Sequence, residues 1–160
     1  MNEIIRVFAR KTNMTPTDDL AFFEEPPLYY LPNLPVYISC TFTWDVKKAK
    51  YLYNQWKGRS REIWIGGPAF GEGEFPGRFI PGRFLKEGIT ITSRGCPKRC
   101  PWCLVPKREG KLREINIAPG HIVQDNNLLA CSRGHIERIF EMLSKQKRAA
   151  QFKGGLDIDY

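Results

Sequence analysis

A strand, a helix and a second strand in quick succession limit this chain more than any other feature. VYISCTF (36–42) is a β-branched and aromatic run and reads as a buried strand. Thr43, Trp44 and Asp45 lead into VKKAKYLYNQWKG, where Val46, Ala49, Leu52, Tyr53 and Trp56 recur at helical spacing and Gly58 offers a stop. EIWIGGPAF (62–70) follows as another strand. Strand, helix and strand packed into so few residues make a βαβ unit, and that implies a parallel pair and an α/β fold.

The flanks extend this pattern. IIRVFAR (4–10) is apolar and β-prone and reads as a strand. Residues 14–35 are broken by five prolines, so a loop-rich stretch with one short edge strand is expected there. GEGEFPGRFIPGRFLKEG (71–88) is rich in glycine and proline and is the best linker. The expected organisation is a small N-terminal α/β region over 1–74, a linker over 75–88 and a second region over 89–160. In that second region ITITS (89–93) and HIVQDNNLLAC (121–131) hold strands, and QFKGGLDIDY begins a third. SRGHIERIFEMLSKQKR (132–148) reads as a helix with Ser132 as N-cap and a buried stripe of Ile136, Ile139, Phe140 and Leu143. His135 is expected to be partly exposed in its first turn. Neither His135 nor His121 is given a catalytic role.

Five cysteines is an odd number, and three of them fall within CPKRCPWC (96–103). The N-terminus lacks an apolar core long enough for a signal peptide, and no run of roughly 18 apolar residues suggests a membrane span. The chain therefore reads as cytoplasmic, where clustered cysteines mean metal or redox chemistry rather than structural disulfides. Its formal net charge of +8 favours anionic partners without choosing among them. Nucleic acid is not the favoured partner, because such a charge also serves solubility alone.

The three clustered thiols follow C-x3-C-x2-C, with Gly95 before the first and the aromatic Trp102 before the last. Structural zinc wants four closed ligands. Here a fourth would have to come from Cys40, Cys131, His121 or His135, and none forms a second C-x2-C pair. Cys40 and Cys131 read as buried structural thiols. A cubane iron–sulfur cluster tolerates three cysteines when its fourth iron is left for something else. The loop also leaves the end of a strand and precedes strand–helix–strand patterning, which is where α/β barrels build their sites.

Residues Cys96, Cys100, Cys103 and Trp102, in this order and on this preceding strand, resemble the cluster loop of the radical S-adenosylmethionine superfamily. The resemblance covers the last half of the chain, and residues 36–70 resemble more loosely the cobalamin-binding-like domain that some members carry ahead of the barrel. It implies a small Rossmann-like N-terminal unit followed by the first βα units of a partial (β/α) barrel. It also implies a 4Fe–4S cluster on Cys96, Cys100 and Cys103, with S-adenosylmethionine chelating the fourth iron and an electron donor such as flavodoxin or ferredoxin. Trp102, Asn126, Asn127 and Asp157 are the candidate cofactor-binding residues. No Gly-Gly-Glu motif stands where Gln124 to Asn127 lie. No Asp-x-His-x-x-Gly signature precedes residue 121, so cobalamin is not expected. A family barrel needs more βα units than residues 88–160 supply, so the chain is expected to be the N-terminal portion of a longer enzyme, or to need a second chain that completes the barrel. The alternative is a non-catalytic iron–sulfur or zinc-binding module.

Overall fold

A computed structural model describes residues 4–28, 31–60, 62–70 and 80–157. The chain divides into two compact units, Met1–Ile80 and Pro81–Tyr160. This division falls inside the expected linker. Residues 75–79 of that linker lie outside the described residues, and residues 81–84 form turns. Each unit is mixed α/β with a parallel sheet.

The first unit holds four parallel strands: β1 (Ile5–Phe8), β2 (Ala21–Phe22), β3 (Val36–Ser39) and β4 (Ile63–Gly66), in the order β2-β1-β3-β4. The short edge strand expected in the proline-rich stretch is β2. Helix α1 (Val46–Trp56) connects β3 to β4, so the expected βαβ unit is present. Side chains alternate along a strand, which puts Ile5, Val7 and Ala9 on one face with Val36, Ile38 and Cys40. Ala49, Leu52 and Trp56 of α1 complete that core, and Val46 and Tyr53 pack at its margin. On neighbouring strands Tyr37 and Trp64 stand in register, with ring centroids 4.8 Å apart.

The α1 N-terminus shows a local rule being overridden. Asp45 occupies the N-cap position but makes no capping hydrogen bond. Its carboxylate instead accepts from Arg10 Nε at 2.7 Å and from a second Arg10 nitrogen at 2.8 Å. These hydrogen bonds, together with the Arg10 charge, hold the Asp45 carboxyl below the usual carboxylate range.

The second unit carries a three-stranded parallel sheet, β5 (Ile89–Thr90), β8 (Ile122–Val123) and β9 (Gln151–Phe152), in the order β5-β8-β9. Between β5 and β8 lie β6 (Ser93–Arg94), a one-turn helix α2 (Val105–Arg108) and β7 (Arg113–Glu114), with β6 and β7 antiparallel. The sequence reading takes residues 89–93 as one strand. In the structure that run is split, because Ser93 and Arg94 pair with β7 rather than with the parallel sheet.

Helix α3 (Arg133–Ser144) joins β8 to β9, and Ser132 caps it through its side chain, as expected. Its buried stripe is corrected. His135, Ile139 and Leu143 face inward, at i, i+4 and i+8, while Phe140 is half exposed. The core proper is Val123, Leu128, Ile139 and Leu143, with Ile117, Met142 and Phe152 against it. His135, expected to be partly exposed, is 2 % exposed. It is held inside because Nε2 donates to the Thr92 carbonyl at 2.9 Å, leaving Nδ1 to accept from Arg138 at 3.2 Å.

Candidate functional site

In a parallel sheet every strand ends at the same edge. The segments that follow β5, β8 and β9 therefore leave from one edge; the first runs through β6 into the cysteine loop, the second carries Asn126 and Asn127, and the third Asp157. The pairing of β8 with β9 continues as a bridge between Asn127 and Gly155, and Leu128 N–H donates to the Gly155 carbonyl at 3.3 Å.

The approach to the cysteine loop is set by buried polar groups. Asp125 is 2 % exposed and accepts from the Thr92 amide at 2.7 Å and from the Thr92 hydroxyl. The Thr92 carbonyl accepts from Ile115 N–H and from His135, so both of its lone pairs are used. The chain is thus locked at Thr92, three residues before it turns at Gly95. At Gly95 the turn takes φ 80°, and a Cβ there would lie 2.2 Å from the Lys111 carbonyl oxygen, so only glycine fits.

Beyond the turn Cys96 is half-buried, Cys100 exposed and Cys103 half-buried, and none is in a disulfide. Cys96 N–H donates to the Gly110 carbonyl at 3.4 Å, and Cys103 N–H to the Cys100 carbonyl at 3.1 Å. Asn127 Nδ2 reaches Cys96 Sγ at 3.8 Å, while its Oδ1 accepts from the Asp157 amide at 3.4 Å. The Asp157 carboxylate pairs with Lys98 of the loop at 2.7 Å. The fold thus brings Cys96, Asn127 and Asp157 to one place from three strand ends. It does not bring Trp102 there, since that indole is 90 % exposed.

Asn126 is engaged differently, donating to Glu109. Glu109 also pairs with Arg94 and accepts from the Gly95 amide at 3.2 Å. It joins β6, the turn and the loop after β8. Sequence reasoning passed over this residue, and its only signal was a lone carboxylate within a run of bases.

The remaining cysteines and histidines are placed away from this edge or are already occupied. Burial pushes the Cys131 and Cys40 thiols up, and Cys40 sits in the core of the first unit, donating to the Phe42 carbonyl at 3.3 Å. His135 has both ring nitrogens engaged. His121 precedes β8 and so stands at the opposite edge of the sheet. Among the described residues no group of three or more His, Cys, Asp or Glu side chains is arranged so that it could hold a metal ion. The donors nevertheless suit an iron–sulfur cluster in kind, with three free thiols at least partly open on one loop. Metal ligands are commonly drawn together by the metal itself. No helix among the described residues is long and apolar enough to cross a membrane. The chain matches no protein-family model, no curated protein and no solved structure.

Proposed function

We propose that the second unit is the cluster-bearing part of a radical S-adenosylmethionine protein. In this reading Cys96, Cys100 and Cys103 hold a 4Fe–4S cluster and the strand-end residues hold the cofactor. The observation that carries the reading is the meeting of Cys96, Asn127 and Asp157 at one edge of a parallel sheet. The second unit then corresponds to the first βα units of a partial (β/α) barrel, and the first to a small Rossmann-like domain.

With the cofactor bound, the cluster would supply an electron that cleaves it to a 5′-deoxyadenosyl radical able to abstract hydrogen from a substrate. This chain's own part is to bind and orient. Asn127 donates to the Cys96 sulfur and spans to the third strand end. Asp157 is suited to ribose hydroxyls, and Lys98 beside it to a carboxylate. Trp102 lies free to cover whatever binds beside the loop. The electron donor would be a flavodoxin- or ferredoxin-like protein, for which the basic residues around the loop are suited.

A closed zinc site is the second reading. It is disfavoured because the four candidates for a fourth ligand are buried, engaged or at the far edge. The test is anaerobic reconstitution with iron and sulfide, then electron paramagnetic resonance of the reduced protein with and without S-adenosylmethionine. A cubane signal that changes on adding the cofactor is expected. Cys96→Ala, Cys100→Ala and Cys103→Ala each lose the cluster and Cys131→Ala keeps it. A cluster indifferent to the cofactor, or a colourless protein holding one zinc, would overturn the proposal.

A further inference from the structure

The N-terminal edge of the second sheet carries a site of its own. Gly88 precedes β5, Gly120 and His121 precede β8, and residues 145–148 precede β9. These segments line a cavity of about 580 Å3. Among the described residues four cations, Lys86, Lys145, Lys147 and Arg148, line it with one carboxylate, Glu87. Such an excess suits an anion.

A basic rim after a helix often serves only the carbonyls of the last turn. Here that need is met otherwise. Lys145 is paired with Glu141 at 2.7 Å, and Gln146 donates to the Met142 carbonyl at 3.1 Å. Lys86, Lys147 and Arg148 make no ion pair or side-chain hydrogen bond among the described residues. The His121 imidazole is fixed over Gly88, where a Cβ would lie 2.7 Å from its Cε1, so the bare glycine at φ 88° makes room for the ring.

A second hollow of about 400 Å3 shares Pro119, Lys145 and Gln146 with the first. Ile117, Pro119 and Met142 give it an apolar wall, and Arg138, Glu141, Lys145 and Gln146 complete its lining. A cationic cavity beside a hollow that has an apolar wall and a polar margin fits a ligand with an anionic end and a flat body edged by polar groups, as a nucleobase is. We propose that this edge binds a nucleoside phosphate, with its phosphates among Lys86, Lys147, Arg148 and His121 and its base against Ile117, Pro119 and Met142. The concavity favours a small ligand over a nucleic-acid strand, which needs an open track of charge. The site lies at the edge opposite the cysteine loop and does not depend on the cluster.

The test is calorimetric titration of the full chain in phosphate-free buffer with ADP, adenosine, pyrophosphate and a short single-stranded oligonucleotide. ADP is expected to bind, with adenosine and pyrophosphate each about tenfold weaker or worse. The Lys147→Glu/Arg148→Glu double variant, which changes exposed side chains, should weaken ADP about tenfold or more while keeping the native circular dichroism spectrum. Lys86→Glu, on a separate segment, should weaken it in the same direction. The proposal is overturned if ADP does not bind, if adenosine binds as well as ADP, or if the variants bind ADP as the native chain does. An oligonucleotide that binds far more tightly than ADP and is weakened by the same substitutions would also overturn it, marking an extended polyanion surface.

Discussion

Single residues carry the sharpest consequences. Gly95→Ala would force a side chain into a left-handed conformation and against the Lys111 carbonyl. The conformation alone costs about 1–3 kcal/mol, so a clear drop in the urea midpoint is expected, and unchanged stability would mean the turn is not built as described. Asp45 gives a pH signature. Its carboxyl is lowered in the folded chain by Arg10, so its contribution is full above the unfolded value of about 3.9 and is lost as pH falls through the lower folded value. Asp45→Asn should therefore lower the urea midpoint at neutral pH, and the gap to the native chain should close in acid below about pH 4. A gap of constant size down to strong acid would refute the pairing. At this scale Cys40, Cys131 and Ser132 could be read from the residues around them, because an apolar strand buries a thiol and a serine ahead of a periodic run caps it. His135, Trp102 and Glu109 could not. The partners of His135 and Glu109, namely Thr92 for the first and Arg94 and Asn126 for the second, are distant in sequence, and no local pattern encodes a long-range hydrogen bond; the exposure of Trp102 likewise has no local signal.

Elements followed periodicity where the chain ran long enough to show it. Helices α1 and α3 each present a stripe of large side chains, and both were legible. The exact face was less so. Counting Phe140 as buried assumes that apolar residues turn inward, whereas His135 takes an inward position because the Thr92 carbonyl is there to receive it. The split of residues 89–94 between two sheets was also hidden, since two-residue strands have no period to detect. The Ser132 cap offers a direct check. Ser132→Ala should cost about 1 kcal/mol and Ser132→Gly only a few tenths, read by chemical denaturation. Equal losses would show that the hydroxyl does not carry the cap.

For the whole molecule the main feature is two units, each with its own apolar core. Leu52→Ala and Ile139→Ala remove fully buried side chains from the first and second cores respectively. Each should cost about 2–5 kcal/mol. Hydrogen exchange should report the loss at β1, β3 and β4 for the first substitution and at β5, β8 and β9 for the second. The reverse pattern would contradict the division. The sequence by itself determined the α/β class, the βαβ unit of residues 36–70 and the loop that carries three thiols, because each depends on the spacing of neighbours along the chain. Only the tertiary structure decided that Cys96, Asn127 and Asp157 meet, that Trp102 stands in solvent and that a cationic cavity opens at the far edge. These depend on which strand lies beside which, and in the second sheet parallel pairing joins residues as far apart in sequence as Ile89 and Ile122, or Ile122 and Gln151.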